Sequence, residues 1–213
     1  MICWSDIGIV LSSRKHGEKY KIVDVFTKCH GKISAMFSLS KNSSFSIFSN
    51  VNIEYSSKTE TSLGFWKLKS ETQNWIFLIN SFQHIQICQS MAFILNKVLP
   101  QGVPHETLFN VVKYISYNLK NFSNNEISTI YAYFESVLLR EIGFEVEGNF
   151  YIEKSQPIEN QIISLLNNKI FSKDIVQNLE NNSKIIGSHL LDIDNYYRSA
   201  IIRSLKSPER EAI

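Results

Sequence analysis

The residues best placed to do chemistry in this chain are cations near its start. Arg14, Lys15, Lys19 and Lys21 flank a first turn, Lys28 and Lys32 flank a second, and Lys41 lies in a polar stretch that follows. Ammonium and guanidinium groups gathered at one end of a small fold neutralise phosphates and release their counterions. The binding that results is salt-sensitive and independent of sequence. From charge alone, a solvated rim without a partner is an equal reading. A surface that holds unpaired bases also needs aromatic platforms. Trp4, Tyr20, Phe26 and Phe37 alternate with polar residues and read as core, whereas Phe45 and Phe48, in "NSSFSIFSN", are the candidates for exposed stacking.

Catalytic groups do not converge in the same way. None of His16, His30, His84, His105 and His189 has the Cys or carboxylate spacing of a metal site. The sequence holds no Gly-rich phosphate loop and no G-x-S-x-G elbow. Asp192 and Asp194 stand two apart, so on a helix they point to different sides. The expectation is a binding module with no catalytic residue, no metal ligand and no cofactor. Carboxylates converging from several elements, as in a nuclease, remain the alternative.

Charge is distributed unevenly. The net value is only +2 over 213 residues, yet residues 1–69 carry ten basic and five acidic side chains, giving +5. Residues 70–160 come to −4 and residues 161–213 to +1. Positive charge therefore concentrates in the front third. Cys3, Cys29 and Cys88 are too scattered for a metal knuckle and too few for a disulfide framework. With no long apolar run and no secretory signal pattern, the expected location is cytoplasmic and nucleoid-associated.

The elements that must position these residues change character along the chain. Period-two alternation marks Ile7, Ile9 and Leu11, then residues 20–27, then Ile33, Ala35, Phe37 and Leu39. It continues at Val51, Ile53 and Tyr55 and at residues 63–69. Five short strands in so few residues predict a small closed barrel of the OB type. Helical spacing then takes over in residues 80–99 (Phe82, Ile85, Ala92, Leu95, Leu99) and 105–120 (Leu108, Val111, Val112, Ile115, Leu119). A third helix, capped at Asn124 or Asn125, presents Ile127, Ile130, Tyr131, Phe134, Leu138 and Ile142, and stops at Gly143. Shorter helices are expected at 158–166 and 173–179, with a last long one at 187–205. The fold class is α+β, with an OB-fold DNA-binding domain over 1–75 and an all-α helical domain over 76–213. A groove between such helices could also receive an apolar tail from a partner.

Two stretches carry a family resemblance. "GIVLSSRKHGEKYKIVDVFTKCHGKI" resembles the front of the RecO family at Arg14, Gly17, Glu18, Phe26, Thr27, Gly31 and Lys32. "FESVLLREIGF" is similar to that family's helix end, at Phe134, Glu135, Leu138, Leu139, Ile142, Gly143 and Phe144. The resemblance implies a DNA repair and recombination protein that binds single- and double-stranded DNA and anneals complementary strands. It implies work with RecR, help in loading RecA onto coated strands, and docking of the single-stranded DNA-binding protein's C-terminal tail on the helical domain. The chain departs from the pattern in three places. The loop after strand three keeps only Lys41; Ala132 and Tyr133 stand where many members have Arg; and "EVEGNFYIEKSQ" lacks the cysteines of a zinc finger, so no zinc is expected. A helical adaptor with little DNA affinity of its own is the rival reading, and a metal-dependent nuclease a more distant one.

Overall fold

The computed structural model of the chain describes residues 1–39, 45–71, 82–144, 156–167, 172–189 and 202–203. Five strands, β1 (Ile2–His16), β2 (Tyr20–Thr27), β3 (Gly31–Ser38), β4 (Asn50–Ser57) and β5 (Gly64–Ser70), close into a barrel in the order β1-β2-β3-β5-β4. β1 begins five residues earlier than the alternation of Ile7, Ile9 and Leu11 indicated. Its length is what closes the barrel. Its first half pairs with β4, from Ile2 opposite Ser57 to Ile9 opposite Asn50. Its second half pairs with β2, out to His16 opposite Tyr20.

A bulge between Val10 and Ser12 sets the division of labour on β1. Val10 joins Val23, Val25, Ala35, Phe37, Val51, Ile53, Trp66 and Leu68 inside the barrel. Gly8 leaves them room, since a Cβ there would lie 2.5 Å from the Ile53 side chain. Ile9 and Leu11 face outward, where with Phe26 and Phe48 they enter the core of the helical body. Over Gly8–Leu11 both faces of this strand are therefore buried.

The helices are α1 (Phe82–Val98), α2 (Glu106–Asn118), α3 (Asn124–Glu141), α4 (Ile158–Asn167) and α5 (Ser172–His189). The cap of α3 is Ser123, just ahead of the expected asparagines. Its hydroxyl accepts from the Glu126 backbone N–H at 3.3 Å, and the Glu126 carboxylate accepts from the Ser123 N–H at 2.7 Å. Gly143, at φ 95°, ends the helix as expected. α5 runs to His189 instead of ending at 179. Its buried stripe is Ile175, Asn178, Leu179 and Asn182, and the amides disguise the helical period. Gly187 therefore lies inside α5 rather than opening the last helix. Of the expected 187–205 helix, residues 190–201 and 204–205 fall outside the described residues, as does the expected domain boundary, within 72–81.

The barrel's outward residues and the helices share a core that is separate from the barrel interior. Phe26 meets Phe109 of α2 edge-on at 5.4 Å between ring centres. The buried Asn50 amide donates to the Ser116 hydroxyl at 2.8 Å. Among the described residues no helix is long and apolar enough to cross a membrane.

Candidate nucleic-acid interface

The β1–β2 hairpin brings the first group of cations together. Gly17, at φ 65°, takes the left-handed conformation the turn requires. Lys15 then stands directly opposite Lys21, and Arg14 opposite Ile22. Like charges in cross-strand register repel, so nothing internal is gained by this pair. Lys15 and Lys19 are exposed and Lys21 half-buried, and among the described residues none of the three has an acidic partner.

Strand register also sorts the outer face. Arg14, Ile22, Met36 and Phe65 lie in one row across β1, β2, β3 and β5. Phe65 is 44% exposed, and Tyr20 meets it edge-on at 6.0 Å. Sequence reading passed over Phe65. The signal was present in "GFWKLKS": Trp66 and Leu68 are inside, so Phe65, Lys67 and Lys69 must be outside. Lys67 pairs with Glu54 at 2.8 Å, on the exposed surface.

The other predicted cations are placed differently. Lys28 sits at the β2–β3 turn, at the opposite end of β2 from Lys19 and Lys21, and pairs with Glu106 at 3.5 Å. Lys32 is buried, which corrects its assignment to an open basic surface. The start of β3 docks against the end of α1, where the Lys32 ammonium donates to the Asn96 carbonyl at 2.6 Å. Burial pulls that ammonium below the usual lysine range, and the nearby Asp24 charge opposes the shift. Lys41 lies outside the described residues.

The expected stacking platforms need the same correction. Phe48 is in the core at 2% exposure. Its N–H donates to the Val10 carbonyl at 2.7 Å, and the Val10 N–H donates to Ser49 at 3.0 Å, so this segment is drawn in at the β1 bulge. Phe45 is half-buried and packs edge-on against Phe37 at 5.0 Å.

Behind Arg14 lies a buried carboxylate that sequence reading did not single out. Asp24, 3% exposed, accepts from Arg14 at 3.0 Å, from the Ser34 hydroxyl at 2.5 Å and from the Asn96 amide at 3.4 Å, and also from the Ser12 hydroxyl. Burial works to raise this carboxyl. The hydrogen bonds from Ser12 and Ser34 and the Arg14 charge outweigh it and hold Asp24 below the ordinary carboxylate range.

At the other end of the barrel, Asp6 accepts from the Cys29 and Ile7 N–H groups, each at 2.8 Å, and lies 3.0 Å from the His30 ring. His30 stacks on Trp4 at 3.8 Å, and Trp4 on Tyr55 at 4.6 Å. Thr27 closes this turn, donating to the Gly31 carbonyl at 2.9 Å and accepting from His30 N–H at 3.1 Å. Among the described residues no group of His, Cys, Asp and Glu could hold a metal ion.

Residues 1–70, the barrel itself, match the family described as Recombination protein O N terminal. The match extends into the helices. Over 218 residues the chain is 27% identical to the DNA repair protein RecO of Wolbachia sp. subsp. Drosophila simulans (strain wRi), covering 88% of this chain and 90% of that protein. The chain belongs to the RecO family. The DNA repair protein RecO of Wolbachia pipientis subsp. Culex pipiens (strain wPip) is 31% identical over 147 residues, 68% of this chain and 60% of its own length. That of Ehrlichia chaffeensis is 27% identical over 146 residues. This is thus a DNA repair protein of the RecO family, and the barrel is the family's OB-type unit. The RecO motif residues have visible tasks here. Gly17 and Gly31 supply left-handed turns, and a Cβ on Gly31 would lie 2.2 Å from the Val103 carbonyl oxygen. Phe134, Glu135, Leu138 and Leu139 are buried on α3.

Proposed function

We propose that this RecO protein binds single- and double-stranded DNA without sequence preference and anneals complementary strands, with the β1–β2 hairpin as its phosphate contact. The observation that carries the reading is the trio Lys15, Lys19 and Lys21, gathered on one hairpin with no acidic partner among the described residues. Tyr20 and Phe65 lie on the outer face of the barrel, in strand alternation the side opposite Lys15 and Lys21, and take the stacking role first given to Phe45 and Phe48. Two DNA backbones repel each other. Cations that screen both let bases find their partners, and no bond is made or broken, so the protein acts as a binding module rather than an enzyme.

Fluorescence anisotropy of a labelled oligonucleotide tests this. Log affinity should fall linearly with log salt, at a slope of about −0.7 per single-strand contact. Changing Lys15, Lys19 and Lys21 together to Glu should abolish binding and leave the circular dichroism spectrum unchanged. Binding that survives the triple change refutes the hairpin.

The family's partners complete the proposal: RecR, the tail of the single-stranded DNA-binding protein on the helical body, and through them RecA loading. A second reading, the adaptor with little DNA affinity, draws support from Arg14, Lys28 and Lys32, which are all engaged internally. It predicts weak oligonucleotide binding beside strong capture of RecR. Magnesium-dependent strand cleavage would instead restore the nuclease alternative.

A further inference from the structure

The only contact drawn between Arg14 and Asp24 uses one guanidinium nitrogen, Nη1, and one carboxylate oxygen, Oδ2, at 3.0 Å. The contact is single rather than forked, and the Arg14 side chain keeps 58% of its surface in solvent while that of Asp24 keeps 4%. The rest of the fork therefore has donors to spare. The carboxylate is fixed independently of Arg14: Ser12 holds it on β1, Ser34 on β3 and Asn96 on α1. Arg14 and the buried Lys32 ammonium both feel its charge.

We propose that Asp24 is a positioning residue for DNA binding: anchored to β1, β3 and α1, it braces the Arg14 guanidinium on the outer face of the barrel so that its free edge takes a phosphate. This rests on the hairpin reading above. A rigid brace matters because a free arginine loses rotamer freedom when it binds. It matters also because a guanidinium meets phosphate best as a planar fork. Through Asn96, the brace fixes this contact relative to α1.

The test is oligonucleotide binding across a salt series by wild type, Asp24→Asn, Arg14→Ala and the double variant. Asp24→Asn should weaken binding severalfold and flatten the salt slope by about 0.7, one contact's worth. Arg14→Ala should do the same, and the double variant should be no worse than either single one. Tighter binding by Asp24→Asn would make Asp24 a lock on Arg14 and overturn the proposal. Unchanged affinity and slope would reduce the pair to architecture and overturn it equally. Should Asp24→Asn fail to fold, Arg14→Lys decides the matter. Its single ammonium would be absorbed by Asp24, so the slope should flatten although the charge is kept, and a wild-type slope overturns the brace. If wild type itself shows no salt-dependent binding, the hairpin reading has failed first. If wild type binds and only the Asp24 and Arg14 variants behave as wild type, the brace alone has failed.

Discussion

Lys19 and Lys32 look alike in the sequence, each two residues or fewer from a turn glycine, and the fold gives them opposite tasks. Lys19 projects into solvent from a hairpin tip, whereas Lys32 is covered because α1 ends on it. That docking joins residues 64 positions apart, and no local pattern encodes it. The same holds for Phe48, which sits in a polar run with φ 68° yet is pulled into the core by pairing at the β1 bulge. Where a residue's role depended on its immediate neighbours, as with Gly17, Gly31 and Gly143, the sequence was sufficient. Lys32→Met should separate the two tasks. It removes the bond to the Asn96 carbonyl and takes a countercharge from buried Asp24, so urea unfolding should show a loss of about 2–4 kcal/mol. The salt slope of DNA binding should stay at the wild-type value, because this ammonium is buried against the Asn96 carbonyl.

Strands were legible because alternation is a local property. In β5 the order Phe65, Trp66, Lys67, Leu68, Lys69 fixes which side chains leave the barrel once Trp66 is known to be inside, with its indole N–H donating to the Val23 carbonyl at 2.9 Å. Strand pairing was not legible. Only the register Met36 opposite Phe65 puts that ring in a row with Ile22 and Arg14, beside Tyr20. At this scale the account predicts that Phe65→Ala lowers affinity for single strands by about 1 kcal/mol, roughly fivefold. Affinity for duplex should hold, since paired bases offer no free face to an aromatic ring, and parallel anisotropy titrations with both substrates check it. An equal loss on both substrates would point to a disturbed barrel. Helix α5 was the hardest element to read, because its buried stripe mixes Ile175 and Leu179 with Asn178 and Asn182, and the amides read as surface.

Across the whole molecule, the front-loaded charge seen in the sequence is divided among the described residues: Lys15, Lys19 and Lys21 share the hairpin without an acidic partner, Lys58 and Lys69 stand exposed elsewhere, Arg14, Lys28 and Lys67 are held by acids, and Lys32 is buried at the joint. Charge counts alone could not divide them. The fold does, by placing the hairpin at the end of β2 away from the Lys28 turn. The outward residues of β1 seat the barrel on the helices, and Ile9, Leu11, Phe26 and Phe48 belong as much to the helical core as to the barrel. The hairpin is thus carried on a barrel that packs directly against the helical body. The central claim is that this hairpin's charge brings two strands together. Its most direct measure is the rate at which pure protein anneals two complementary oligonucleotides, followed by fluorescence quenching at low and moderate salt. Wild type should accelerate annealing, lose most of the effect as salt rises, and lose all of it when Lys15, Lys19 and Lys21 are changed to Glu. Annealing by the triple variant at the wild-type rate, or acceleration indifferent to salt, would contradict the account.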